Sequence, residues 1–430
     1  MAYEVIDKRG KASSKIDEVC RVCGCENLKE IISLGKQYVT NFVNNKNEQE
    51  EKHSLDLVLC DPTNDGCGLL QLRHNTPGKL MWDEQYWYKS GISTTIKNDL
   101  KDIVNKSTSM IKLQDGDFVI DIGCNDGTLL SNYPAELNTI GFEPSKNVAK
   151  EAEEKGFKVI NNFFNAENFE SDFGEQKAKL ITAISMFYDL EDPNSFVRDI
   201  VTILDRDGLF VIQQNYLMSM LQKNAFDNIC HEHREYYSLY SLKKVLENYG
   251  LEIFDAVESD INGGSIRTYI KFKENNSLGS EESKERVRKI EEKEISLGIG
   301  NLDIYNDFAS RIKDIKIRLL DYLEKEKEKG KDIYIYGAST RGNVILQYFG
   351  LDTSLITAAV DKNPDKWGKK TVGSLIPIIS PEEFRKKNAD YLLVMTWHFF
   401  EEIKEQEKKW LNDGGTFIVP LPKLKIVKSN

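Results

Sequence analysis

Two stretches of this chain share one pattern. DFVIDIGCNDGTLL (117–130) and DIYIYGASTRGN (332–343) each run from an apolar strand, through a glycine-bearing turn, into a helix start. Such a unit calls for parallel neighbours, with helices folded back over the sheet. NTIGFEPS, KVIN, LITAISM and GLFVIQQ follow the first turn as further strands, with charged helical stretches between some of them. LITAAVDKNP, ADYLLVMTW and GGTFIVPLP follow the second. The expected fold class is α/β, with a central Rossmann-like domain over 76–275 and a second Rossmann-like domain over 331–430. A cysteine module with a frayed, polar N-terminus takes 1–75, and a helical bridge takes 276–330. In that bridge Ile304–Tyr305, Phe308, Ile312, Ile315 and Leu319–Leu320 recur at helical spacing among dense Glu and Lys.

The 430 residues carry 69 acidic and 58 Lys or Arg side chains, a net charge of -11. Nucleic acid needs concentrated positive charge, so no nucleic-acid partner is expected. A local basic pocket for one small phosphorylated ligand remains open. There is no apolar run of about 18 residues, so no membrane span is expected, and the first residues lack the apolar block of a signal peptide. Seven cysteines, clustered early, do not form an extracellular disulfide pattern, so a cytoplasmic location is expected.

Cys20-x2-Cys23 is followed after 36 residues by Cys60-x6-Cys67. Four thiolates complete a tetrahedral zinc shell and leave no open position, which makes the expected metal structural. Such a metal adds folding energy to a small segment with little apolar content. Cys25, His53 and His74 are spare candidates.

Asp121, Gly123, Cys124, Asn125 and Gly127 lie at the first strand-to-helix turn, where glycine lets backbone approach a ligand. Glu143 ends the next strand, 22 residues after Asp121, where a carboxylate can accept two ribose hydroxyls. The pair fits an adenosyl ligand without a pyrophosphate. Asn162 and Met186 to Asp189 are expected to line its adenine and methionine portions.

CHEHREYY (230–237) concentrates acid–base groups after a central strand. His231 and His233 can take up a proton near neutral pH, and Glu232 can orient a donor or stabilise positive charge. Tyr236 and Tyr237 can donate hydrogen bonds or stack on a sugar. A polar surface helix start would look the same.

In the C-terminal unit, Ser339, Arg341 and Asn343 sit in a Gly turn where backbone N–H groups and a guanidinium could hold a pyrophosphate. Asp361 ends the following strand, 24 residues after Gly337. A structural duplicate without a ligand is equally consistent with the pattern. Tyr86 and Tyr88, in the aromatic cluster with Trp82 and Trp87, could cover a substrate or seam two domains. Trp397 and His398 could face the same cleft.

Taken in order, the Cys20-x2-Cys23 module ending in CGLLQL, DIGCNDGTLL, HEH, NGGSIR, GASTRGN and DKNP resemble the S-adenosylmethionine-dependent sugar C-methyltransferases of deoxysugar biosynthesis. The resemblance spans about residues 20 to 425. It implies a zinc-binding N-terminal region, a central methyltransferase fold and a C-terminal Rossmann-like region. It also implies S-adenosyl-L-methionine and structural Zn2+ as cofactors, and a nucleotide-linked 4-keto deoxysugar as substrate, methylated beside the ketone. By resemblance His233 is the base that removes the proton there, with His231 and Glu232 as its motif neighbours. Asn262 and Arg267 of NGGSIR join Tyr86, Tyr88, Tyr236, Ser339, Arg341, Asn343 and Asp361 as expected substrate contacts. One departure stands out: a tyrosine commonly precedes HEH in the close family, and this chain has Cys230. Sugar O-methylation and a non-catalytic nucleotide-binding role remain alternatives, and both a monomer and a homodimer are compatible with the sequence.

Overall fold

The computed structural model describes residues 15–39, 41–49, 51–82 and 86–429. The expected fraying of 1–19 lies outside the described residues up to residue 14. Within the described part of that stretch, Lys15–Ile16 pairs antiparallel with His74–Asn75.

A seven-stranded sheet forms the centre. Across it lie Leu251–Ser259, Ser265–Phe272, Leu204–Asn215, Ala178–Ile184, Phe118–Ile122, Asn138–Phe142 and Lys158–Ile160. The last five strands are mutually parallel, and Ser265–Phe272 runs antiparallel between Leu204–Asn215 and Leu251–Ser259. The strand order reverses beside Phe118–Ile122, so the DIGCNDG turn opens at the crevice where α/β sheets bind ligands.

The helix expected at GTLL is only a short 3-10 turn, Leu130–Asn132. Pro134 disfavours helical backbone at Tyr133, which is extended at φ -78° and ψ 149°. The helix Thr94–Met110 packs against this turn and buries Ile96, Leu100, Ile103 and Val104. Ser145 stands at the N-cap of Lys146–Glu154, but its side chain makes no capping bond.

Ser265–Phe272 was not read as a strand, because Arg267 and Lys271 interrupt its apolar pattern. All eight of its residues are buried. Arg267 is neutralised by Asp99 and Asp102, and Lys271 by Glu252.

A second sheet orders Glu235–Tyr236, Leu70–Leu72, Lys52–Cys60 and Leu28–Tyr38. Its first strand belongs to the HEH segment, so the cysteine module is bonded directly to the chain that carries His233. Two helices, Glu281–Leu297 and Leu302–Glu328, form the bridge, and the second buries Tyr305, Phe308, Ile312, Ile315 and Leu319.

The C-terminal sheet orders Ile378–Ile379, Ala358–Val360, Ile333–Tyr336, Tyr391–Val394, Thr416–Val419 and Lys425–Lys428. It is parallel except for its last strand. This unit is tied to the N-terminal module. Phe42–Val43 pairs with Lys370–Thr371, and the Gln347 carboxamide exchanges hydrogen bonds with both backbone groups of Tyr38. Among the described residues no helix is long and apolar enough to cross a membrane.

Candidate functional site

The sulfurs of Cys20, Cys23, Cys60 and Cys67 lie within 4.8 Å of one another. Cys20 and Cys67 are 3.5 Å apart, as are Cys23 and Cys60. The wide x6 spacing closes because Asp61 folds the intervening loop. Its side chain accepts from Thr63 N and Asn64 Nδ2, its carbonyl from Asn64 N and Gly66 N. Asp65, in left-handed backbone at φ 59°, then turns the chain back to Cys67. Hydrogen bonds from Cys60 and Cys67 pull the Cys20 thiol down to about 5, while Cys67 is pushed upward. A divalent cation is what lets four such thiols ionise together, so the set fits a closed Zn2+ site. Cys25 lies outside it, with Asn27 N at 3.4 Å from its sulfur, and His74 is paired with Asp56 at 2.8 Å.

At the crevice, Gly123 N and Cys124 N both bond to Phe142 O, which pins the first turn to the second strand. Gly123 has φ +72°, and a Cβ there would lie 3.2 Å from Met186 Cγ, so glycine is needed on both counts. Glu143 is buried and accepts from Asn125 N at 3.0 Å and Ser145 N at 2.8 Å. Its remaining lone pairs suit ribose hydroxyls. Asp121 accepts from Thr182 Oγ1 at 2.7 Å, and burial pushes its carboxyl up to about 7. Gly127 leaves room for Ala152 and Phe157. The Cys124 side chain points into the core against Gly141 and Leu130, so only its backbone faces the turn. Asn162 is exposed and its carboxamide accepts its own neighbour's N–H, whereas Asn161 reaches back to Glu143 O at 2.8 Å. These residues fit an adenosyl ligand through backbone and carboxylate groups.

The segment 86–91 lies over this turn as a strap. Tyr86 exchanges two hydrogen bonds with Asn147, Asn125 holds Tyr88 O and Ser90 N, and Asp126 accepts from Gly91 N. Trp87 bonds Asn41 in the N-terminal module, and Lys89 pairs with Asp365 in the C-terminal one. Burial pushes the Tyr86 phenol up, as do the nearby carboxyls of Glu232, Asp189 and Glu143. Tyr88 is 47% exposed.

The HEH segment is not a surface helix start. It is a largely buried turn between the 3-10 turn Phe226–Asn228 and the strand Glu235–Tyr236. His233 Nδ1 lies 2.9 Å from Asn228 O. A carbonyl only accepts, so Nδ1 carries the proton and Nε2 is left as the free base. Burial, then the charge of Arg341, holds His233 down at about 3, so the ring is neutral at physiological pH. Tyr188 packs edge-on against it, ring centres 4.4 Å apart. His231 differs: its Nε2 donates to His53 O at 3.1 Å, which anchors the loop to the N-terminal module. Glu232 is pushed up to about 7 by burial and has Thr340 Oγ1 at 3.4 Å. The Tyr236 hydroxyl bonds Asn228 O and His233 O, so it braces the loop.

From the C-terminal side, Arg341 donates to Asp227 Oδ2 and to Asn262 O at 2.6 Å. Trp397 Nε1 donates to the same Asp227 oxygen at 3.0 Å. Asn343 is buried with neither carboxamide atom partnered among the described residues, and His398 Nδ1 is likewise unpartnered. Ser339 caps its helix through Gly342 N. Asp361 reproduces the Glu143 arrangement, accepting from Ala338 N in the Gly turn and from Asn363 N two residues on. Here, however, Lys366 is buried at the carboxylate, 3.4 Å away, and also donates to Ala338 O. Arg267 faces the helix Thr94–Met110, engaged with Asp99, Asp102 and Gln213, apart from the Arg341 group.

Sequence reasoning missed Asp227; Tyr188 and Asp189 fell within the Met186 to Asp189 stretch expected at the cofactor, and the structure also brings them against the HEH segment. Asp189 is pushed well up by burial and by Glu232, and one of its carboxylate oxygens is buried without a partner. Asp227 lies four residues before His231, but its pairing with Arg341 and Trp397 comes only from the fold.

Three family models tile the chain: a zinc binding domain over 20–82, a methyltransferase domain over 96–256 and a C-methyltransferase C-terminal domain over 260–422. The C-methyltransferase NovU of Streptomyces niveus is 31% identical over 424 residues, covering 96% of this chain and 97% of that protein. Among solved structures, an S-adenosylmethionine-dependent methyltransferase from Clostridium acetobutylicum matches 43% of this chain and 92% of its own, at 16% identity and a TM-score of 0.33. The plantazolicin methyltransferase BpumL, in complex with SAH, matches 42% and 89%, at 14% identity and a TM-score of 0.34. The end-to-end match to NovU and the order of the three domain models place this chain in the C-methyltransferase family, as an S-adenosylmethionine-dependent enzyme with a zinc-binding N-terminal domain.

Proposed function

We propose that the enzyme methylates a nucleotide-linked 4-keto deoxysugar at the carbon beside the ketone, through an enolate generated by His233. The observation that carries this reading is the His233 tautomer. With Nδ1–H committed to Asn228 O, Nε2 is left as a neutral base on the HEH loop. A carbon-bound hydrogen is a weak acid, and an adjacent ketone lets the charge develop on oxygen. His233 Nε2 takes the proton, and the C–H electron pair moves into the enolate. Donors near the developing oxyanion stabilise it. Tyr86 is one candidate, and Glu232 another, since a carboxyl held near 7 is partly protonated at neutral pH.

Bound S-adenosylmethionine supplies the electrophilic methyl; the enolate carbon forms the new C–C bond as the sulfur–methyl bond breaks. The Gly123 turn, Asn125 and Glu143 orient the adenosyl group, with Met186 beside Gly123. Arg341, Asn343 and Asn262 would meet the nucleotide diphosphate from the C-terminal side. Ser339 and Asp361 shape that turn, and His231 and Tyr236 hold the base loop. General-base catalysis of this kind contributes about 10²–10⁴-fold, and orientation the larger part.

The test is turnover of a panel of nucleotide-linked keto-sugars with S-adenosylmethionine, followed by product NMR. A new methyl on a ring carbon next to the ketone is expected. A methyl on oxygen, or S-adenosylhomocysteine release without sugar methylation, rejects the proposal.

A further inference from the structure

We infer that Arg21, inside the Cys20–Cys23 knuckle, is a positioning residue for His233, so that the zinc module sets the geometry of proton removal as well as bracing the fold. The inference rests on reading His233 as the base. The side chain of Arg21 is 3% exposed; Nη1 and Nη2 bond the segments that frame the HEH loop, and Nε lies 3.8 Å from the buried Glu235 carboxylate without a hydrogen bond among the described residues. Nη1 donates to Leu72 O at 2.7 Å and reaches Arg234 O at 3.3 Å, and Nη2 donates to Asn75 Oδ1 at 2.8 Å and pairs with Asp17 at 2.7 Å. Arg234 is the residue after His233, and its carbonyl also accepts Leu72 N at 2.8 Å. The backbone of Arg21 is fixed by the two cysteines that flank it. Its N–H goes to Gln71 Oε1, and its carbonyl accepts from Asn194 of the central domain.

Arg234 completes the clamp. Its N–H and Nη1 donate to Tyr188 O and Asp189 O on the cofactor side, and its Nη2 to Thr76 O. The other end of the loop is fixed by His231 on His53 O. The three residues 231–233 are thus suspended between the zinc module and the turn that carries Met186, with Arg21 as the connection to the metal shell. A planar five-donor fork meets this set of carbonyl, carboxamide and carboxylate acceptors, and a lysine ammonium cannot. When a metal knuckle moves, a base aimed at one hydrogen moves with it, and small displacements of reacting groups cost large factors in rate.

The experiment uses the full zinc-loaded chain with bound S-adenosylhomocysteine, labelled with ¹⁵N-histidine. Five histidines make the imidazole spectrum assignable. Wild type is expected to show His233 as the neutral Nδ1–H tautomer. Arg21→Lys and Asn75→Leu are expected to keep one zinc per chain and S-adenosylhomocysteine affinity within about twofold, while His233 shifts to a mixture of tautomers and His398 stays put. Should Arg21→Lys not fold, Asn75→Leu decides alone. An unchanged His233 tautomer in a folded, zinc-loaded variant overturns the inference. A shifted tautomer in an enzyme that methylates no keto-sugar leaves this coupling standing and removes the reading of His233 as the base.

Discussion

Asp227→Asn isolates the contact that joins the C-terminal unit to the base loop. Asp227 is fully buried, and one oxygen accepts from Arg341 Nε at 2.8 Å and Trp397 Nε1 at 3.0 Å, with Arg341 Nη2 in ion-pair contact at 2.8 Å. The Arg341 side chain is 12% exposed, so little solvent screens the pair. Removing one charge of a buried pair costs about 3–5 kcal/mol, chiefly because the other charge is left uncompensated. Asparagine keeps a neutral acceptor, and Asn262 O still holds Nη1, so the low end of about 3 kcal/mol applies. At about 1.4 kcal/mol per decade, that is roughly a hundredfold rise in local opening. The loss should appear as undocking rather than global unfolding. Native-state hydrogen exchange should therefore accelerate about a hundredfold in 226–228 and 340–343, with little change in the strand Phe118–Ile122. Asp227→Asn combined with Arg341→Met should recover most of the loss, because no unpaired charge remains. An exchange pattern in the single variant within threefold of wild type refutes the argument, as does a double variant worse than the single one.

Other outcomes follow from the same geometry. Gly263 has φ +90°, and an added Cβ would meet Trp397 Cη2 at 2.9 Å, so Gly263→Ala should displace Trp397 from Asp227 and cost about 1–3 kcal/mol by denaturant titration. Chelating the zinc should lower the thermal midpoint and release the pairing between Leu70–Leu72 and Glu235–Tyr236, read as lost amide protection at Leu72. His231 is held down at about 4 by burial, below its ordinary 6.5, so the unfolded chain binds the extra proton first. Its contribution to stability is complete above about pH 6.5 and falls by about 1.4 kcal/mol per pH unit toward pH 4. The stability difference between wild type and His231→Asn should therefore shrink over that window, and a difference that grows on acidification contradicts the assignment.

The parallel strands were legible because they are short apolar runs ending in Gly, acid or Asn. The metal set was legible because cysteine spacing is a local property, although the x6 loop needed Asp61 and a left-handed Asp65 to close. Ser265–Phe272 was illegible because its buried Arg267 is neutralised by Asp99 and Asp102, over a hundred positions away in Thr94–Met110, and its buried Lys271 by Glu252 on the neighbouring strand. The same holds for the site. The HEH segment and the DIGCNDG turn are visible as candidates in the sequence, whereas Asp227 and Arg21 acquire their contacts only from groups that the fold delivers. Asp361 reads like a second ribose acceptor, yet Lys366, five residues on, already lies against it.

Deuterium wash-in measures the central claim most directly. The wild-type enzyme, with S-adenosylhomocysteine in place of the methyl donor, is incubated in D2O with a nucleotide-linked 4-keto deoxysugar. The ring carbon beside the ketone should exchange its hydrogen, and His233→Asn should slow that exchange by about 10²-fold or more while binding S-adenosylhomocysteine within about twofold of wild type. Exchange at the wild-type rate in His233→Asn would contradict the account.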